Sequence, residues 1–95
     1  MLEIVKTALR ITGNAFDAEL TLLINACIAE LQGMGVIVDT SAEAYPLQIQ
    51  MAVIAYCKWL FGNNPDKDQW REIYHTMLAQ LKTMTGFTQW RPSNG

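Results

Sequence analysis

Apolar residues recur with helical spacing along most of the chain, and their pattern predicts four helices. The first helix is expected from Leu2 to Ile11, because Leu2, Val5 and Leu9 share one face of it. The stretch 12–14 (Thr-Gly-Asn) follows, and glycine is the usual residue at a helix stop. The pattern therefore predicts a short first helix that buries one side.

The second helix carries the clearest amphipathic pattern of the chain. It is expected to begin between Asn14 and Asp17, either of which could cap it, and to run to Gln32 before Gly33 and Gly35 end it. Its apolar positions are Phe16, Leu20, Leu23, Ile24, Cys27, Ile28 and Leu31.

A longer connection follows these glycines. The β-branched run Val36-Ile37-Val38 predicts either a short strand or a loop anchored by its apolar side chains. The stretch that follows, from Asp39 to Tyr45, is mostly polar. A connection of about ten residues in so small a domain is often functional, so we expect this segment to contact partners.

The third helix is expected from Pro46 to about Phe61, with the proline in its first turn. Every residue from Met51 to Cys57 is apolar, so this helix should be covered on almost every side. Gly62 then ends it.

The fourth helix is expected to have Asn64 as its cap and Pro65 in its first position, and to end at 85–86 (Thr-Gly). The four elements predict an all-α fold: a small four-helix domain over residues 1–86, a longer loop between helices two and three, and a short C-terminal tail at residues 87–95. The apolar stripe of the fourth helix comprises Trp70, Ile73, Tyr74, Met77, Leu78, Leu81 and Met84.

Composition adds an expectation about partners. Hydrophobic residues make up 51% of the 95 residues and charged residues only 17%, which is apolar for a chain with so little interior. We therefore expect apolar surface to remain for partners, with an efficiently packed monomer as the alternative. The net charge is −2, and the seven basic residues are scattered, without the basic stripe typical of tight nucleic-acid binding. No signal peptide or membrane span is expected, so the chain should be made in the cytoplasm without contacting a membrane.

Reactive chemistry is not predicted. Cys27 and Cys57 lie in apolar helical patterns without a CxxC partner, so they are expected to be buried thiols. His75 is the only histidine, and Asp66 and Asp68 are explained by the start of a helix. We therefore expect no catalytic, cofactor-binding or metal-binding residue, no cofactor and no enzymatic activity; an enzyme with acidic residues around a divalent metal is the least favoured alternative.

Two motifs in this order resemble one known family. The opening LEIVKTALRI (residues 2–11) fits the pattern LExVKxALRI, and residues 56–66 (YCKWLFGNNPD) fit YxKxxFGxNPD. With the acidic start of the second helix and the later Tyr74 and Leu81, they resemble the head–tail connector (adaptor or head-completion) proteins of tailed bacteriophages and prophages. The resemblance covers roughly residues 1–86.

The resemblance implies a structural, non-enzymatic subunit of the virion at the head–tail junction. Such subunits are expected to form a ring of about a dozen copies below the portal protein. DNA would pass through the lumen without sequence-specific binding, and the next neck or tail-completion protein would dock on the ring. The alternative function is a small helical DNA-binding regulator, which the apolar third helix and the acidic start of the fourth disfavour.

Seven apolar residues of the loop, the third helix and the tail are candidates for partner or oligomer contacts. Tryptophan is enriched at interface hot spots, but Trp59 could also be core, and Trp90 could also dock on its own domain. The loop is less acidic than the family pattern, and the tail matches no pattern of the family, so no portal-contact residue is carried over. The candidates are Val36, Ile37, Val38, Tyr45, Trp59, Phe87 and Trp90.

Overall fold

The computed structural model describes residues 1–39, 45–62 and 65–83, and these residues form four α-helices and no strand. The predicted all-α fold is confirmed. The helices are α1 (Leu2–Leu9), α2 (Asp17–Gly33), α3 (Leu47–Leu60) and α4 (Lys67–Thr83).

The central element is α3, which packs against each of the other three helices. Ile49, Ala52, Val53, Ala55 and Cys57 of this helix have no exposed surface. The most extensive pairing is between α3 and α4, which are joined by the short connection 61–66 and therefore run antiparallel. The domain core is thus built around the middle of α3.

The first helix ends at Leu9, so the predicted end at Ile11 is wrong. Arg10 adopts the left-handed conformation, with φ 59° and ψ 40°. The amides of Arg10 and Ile11 donate to the carbonyls of Thr7 and Lys6 at 3.1 and 2.9 Å. This is the Schellman arrangement, in which glycine is the usual left-handed residue. These hydrogen bonds end α1 at Leu9, four residues before Gly13, which was expected to end it.

Neither predicted residue caps the second helix. Phe16 occupies the N-cap position of α2, and no side chain makes a capping hydrogen bond there. Asp17, the first helical residue, instead forms an ion pair with Lys6 of α1, with 2.9 Å between Nζ and Oδ1. The acidic group expected to cap α2 therefore joins it to α1.

The C-terminal end of α2 lies at the predicted glycines, one residue beyond Gln32. Gly35 has φ 91°, a conformation that residues with a Cβ rarely adopt. The amide of Val36 donates to the carbonyl of Leu31 at 2.9 Å, and both side chains are buried. The turn therefore directs the following chain back onto the core.

The two prolines that were expected in first turns, Pro46 and Pro65, lie just before their helices rather than inside them. Pro46 is the N-cap residue of α3, and Pro65 lies two residues before α4, so the predicted first-turn positions are wrong. The Asp66 carbonyl accepts a hydrogen bond from the Trp70 amide at 3.1 Å. The predicted Asn64 cap and the predicted helix end at residues 85–86 lie outside the described residues.

Candidate functional site

The segment after α2 is a loop anchored by apolar side chains. Val36 and Val38 are 1% and 8% exposed, whereas Ile37 between them is 44% exposed. The Gln32 side-chain amide donates to the Val38 carbonyl at 3.2 Å and ties the loop to α2. Of the two interpretations of this run, the anchored loop is confirmed. Ile37 is therefore the residue of this run whose side chain is exposed.

The other end of this connection is fastened to α3. The Gln50 side-chain amide donates to the Tyr45 carbonyl at 2.6 Å, and the Tyr45 side chain packs half-buried against the core. The described ends of the loop are therefore held by one glutamine on each flanking helix. Tyr45 lies near the start of α3, where it borders the domain surface.

Trp59 lies in a cluster of aromatic rings between α3 and α4. Its ring centroid is 5.9 Å from that of Tyr56, 6.1 Å from that of Tyr74 and 5.8 Å from that of His75. These edge and tilted contacts stabilise the pairing of the two helices. Trp59 is half-buried, and a partner contact through its exposed part stays a prediction.

The two tail candidates, Phe87 and Trp90, lie outside the described residues. The structure thus brings Trp59 into the α3–α4 contact, packs Val36, Val38 and Tyr45 against the core, and leaves Ile37 exposed. The partner contacts themselves stay predictions.

A polar junction joins three helices beside the aromatic cluster. The Tyr74 hydroxyl of α4 donates to Glu30 Oε1 of α2 at 2.5 Å. Its side chain also hydrogen-bonds to the Cys27 thiol, and Cys57 of α3 lies close enough to influence that thiol electrostatically. Burial, followed by the hydrogen bond to Glu30, raises the pKa of the Tyr74 hydroxyl far above its ordinary value.

Both cysteines are free and buried, as predicted. Burial raises the pKa of the Cys27 thiol and of the Cys57 thiol from 9.0 to about 12. Thiolates are the reactive form of cysteine, so these protonated thiols act as small core side chains.

Apolar side chains line a groove between the start of α3 and the end of α4, here called the α3–α4 groove. It is lined by Gln48, Met51, Met77, Gln80 and Leu81 and holds about 80 Å³. Pockets for small-molecule ligands typically hold roughly 300–1,000 Å³, so this groove fits side chains rather than a cofactor or substrate.

Leu47, the first residue of α3, is a further exposed apolar side chain next in sequence to Gln48 of the groove. It is 65% exposed and lies one turn before Met51, which is 44% exposed, on the same face of the helix. Leu47 and Met51 are not among the contact candidates that the sequence pattern indicated. These two residues are four residues apart, which places them on one face of a helix, and this spacing was the sequence signal for an apolar face away from Ile49.

A second exposed apolar patch, here called the Phe16 patch, lies at the opposite end of α3. Phe16 and Leu60 are 49% and 43% exposed, and the rings of Phe16 and Phe61 meet edge to face at 5.4 Å. Leu47 and Leu60 are separated by about 20 Å along the helix axis at 1.5 Å per residue. The domain therefore exposes two distinct apolar areas at the two ends of one helix.

The described residues contain no group of three or more His, Cys, Asp or Glu side chains that could hold a metal ion. None of the described helices has the length and apolar character needed to cross a membrane.

Comparison with protein-family models gives a match over most of the chain. The family model described as phage connector protein matches residues 1–88. No curated protein and no solved structure matches the chain significantly.

Proposed function

The chain belongs to the phage connector protein family, and from this premise we propose that it is a ring-forming subunit of the connector between phage head and tail. The ring would contain about a dozen copies and would lie below the portal protein. The observation that carries the proposal is the family match over residues 1–88, which includes all four helices.

The two separated apolar areas support ring assembly. Ring closure requires a heterologous interface, in which one patch of a subunit meets a different patch of its neighbour. The α3–α4 groove, with Leu47 beside it, and the Phe16 patch provide two such areas about 20 Å apart along α3. A domain with one apolar patch would favour a closed dimer instead.

The remaining roles are part of the same proposal. The ring lies at the head–tail junction of the virion, lets DNA pass without sequence-specific binding, and carries the next neck or tail-completion protein. The net charge of −2 is consistent with DNA passing through the lumen, because a lumen that bound the phosphates tightly would slow the movement of the DNA. The subunit acts without catalysis and without a cofactor, and it makes no membrane contact.

We assign the partner contacts to the loop and tail candidates, with residues 1–86 as the connector domain and 87–95 as its tail. Ile37 is the sharpest candidate of the loop, because it is 44% exposed between two buried valines. Its substitution should therefore alter assembly without altering the core.

The test is native mass spectrometry of the full chain over a concentration series, with negative-stain images of the same samples. The chain is measured alone and mixed with the portal protein of the same phage or prophage. A closed ring in either sample is the expected result. A correctly folded chain that remains monomeric in both samples contradicts the proposal.

Two variants localise the contact. Ile37→Asp should weaken ring formation or portal binding at least tenfold while leaving the circular-dichroism spectrum unchanged. Thr21→Asp adds the same charge at an exposed position of α2 and should leave assembly unchanged.

A gel-shift assay with duplex DNA at physiological salt should show no complex, and tight sequence-specific binding would favour the regulator alternative.

A further inference from the structure

The α3–α4 groove lies close to the point where the C-terminal tail leaves the domain. Gln80 and Leu81 line the groove, and the described part of α4 ends two residues later at Thr83. The chain continues for twelve further residues, which include Phe87 and Trp90. The tail therefore starts beside an apolar surface that the described residues leave open.

The groove and the tail are chemically complementary. The apolar lining consists of Met51, Met77 and Leu81, and methionine sulfur makes favourable contacts with aromatic rings. Gln48 and Gln80 also line the groove and offer amide oxygens, which suit an indole N–H. None of the described residues that line the groove is charged, and Arg91 is the sole charged residue among residues 84–95.

The length of the tail is sufficient for it to fold back. Met77 lies nine residues before Gly86, a separation of at most about 14 Å along a helix. Trp90 lies four residues after Gly86, and an extended chain of that length spans about 14 Å. Glycine at position 86 suits the required reversal, because it adopts conformations that other residues disfavour.

We propose that the C-terminal tail folds back on its own domain and seats the Trp90 side chain in the α3–α4 groove. The occupant is the tail of the same chain rather than that of a second copy, because the short tether gives a high effective concentration at the groove. The docked tail covers Met51 and Met77. The subunit contact that we propose at this end of α3 is therefore made by the exposed Leu47 and by the outer side of the tail, which includes Phe87, while Trp90 holds the tail in place. This contact does not depend on ring formation.

The test is nuclear magnetic resonance on the full chain. Cross-peaks from the Trp90 indole to the methyl groups of Met51 and Met77 are expected, and they should persist on dilution. Met51→Glu should abolish the cross-peak to Met77, whose methyl group is unchanged, and make the Trp90 indole as mobile as an undocked segment. Leu22→Glu is the matched control, since Leu22 is 69% exposed on α2 and outside the groove lining, and it should change neither signal.

A sample that mixes two differently isotope-labelled populations separates the two possible sources of the tail. Cross-peaks within one population and none between populations support the proposal. Cross-peaks between populations overturn it in favour of a second copy, and a freely mobile Trp90 without cross-peaks overturns it altogether. Mass spectrometry reports ring formation independently, so failure of this contact is distinguishable from failure of the proposed function.

Discussion

The two sides of α3 present similar residues in opposite environments. On one side, here called the closed side, Ile49, Val53 and Cys57 have no exposed surface. On the other, the open side, Leu47 and Met51 are 65% and 44% exposed. Both sets are apolar and lie within a few residues of each other, so residue type does not explain the difference. The closed side stabilises the fold, and the open side keeps apolar surface available for contacts.

Replacing the buried aliphatic residue at the start of α3 should have the largest effect. Ile49→Ala leaves a cavity in the core and should lower the free energy of unfolding by about 2–5 kcal/mol. Leu47→Ala removes a side chain of the same size two residues away, and an exposed substitution should change stability by at most about 0.5 kcal/mol. Urea unfolding of the monomer measures both. Equal losses would contradict the comparison and mean that Leu47 is covered in solution.

Alkaline pH should have the second largest effect, because it lowers the free energy of unfolding through the buried thiols Cys27 and Cys57. Above pH 9 the unfolded chain releases the Cys27 and Cys57 protons, whereas the folded chain holds them until about pH 12. This stabilisation is therefore complete below pH 9 and is lost as the pH rises towards 12. Between pH 8 and 10, the free energy of unfolding should fall by about 1 kcal/mol for each thiol, measured by urea titration at each pH.

Alanine variants of the two cysteines provide the control for this pH dependence. Each of Cys27→Ala and Cys57→Ala should remove roughly a third to a half of the slope between pH 9 and 10, because the raised pKa of Tyr74 supplies part of the remainder. An unchanged slope in the double variant would assign the alkaline transition to other groups, such as the buried Tyr74 hydroxyl.

The polar junction behind the closed side should contribute a smaller amount. Tyr74→Phe removes the hydroxyl that donates to Glu30 and should lower the free energy of unfolding by about 1–2 kcal/mol. Glu30→Gln retains a neutral acceptor and should cost less than Tyr74→Phe. Thermal unfolding of both variants measures the difference. No loss in Tyr74→Phe would show that this hydrogen bond is replaced by water at no cost.

The smallest effect is expected at the exposed margin of the α3–α4 contact. The Lys58 ammonium lies 4.4 Å from the centroid of the Trp70 ring. Lys58→Met keeps a long apolar stem but removes the charge, and it should cost about 0.5–1 kcal/mol in chemical denaturation. Arg71→Met, an exposed control on α4, should cost less. Equal losses in the two variants would show that the cation–π contact does not stabilise the domain measurably.

The fold was predictable from periodicity because each helix carries its own apolar stripe. The stripe of α2 predicted the burial of Leu20, Ile24 and Leu31, and the glycines predicted its C-terminal turn. These signals are local, since they depend on residues within one or two turns. The boundary at Arg10 was missed because the left-handed residue there is an arginine and not a glycine.

The candidate site was predictable only in part. The pattern of residues 36–38 predicts either a short strand or a loop anchored by apolar side chains and does not choose between them. Packing decided that Val36 and Val38 are buried and that Ile37 is exposed. The α3–α4 groove was missed, since Met51 and Met77 belong to apolar stripes that looked suited to a core.

By itself the sequence determined the four helices, their apolar faces and membership of the connector family. Tertiary structure decided which of those faces meet: Tyr74 reaches Glu30 across 44 residues of sequence, and α4 covers one part of α3 while leaving Leu47 exposed. The physical reason is that hydrophobic burial has no direction of its own. A periodic pattern specifies that a face can be buried, and only the pairing of distant helices selects the partner.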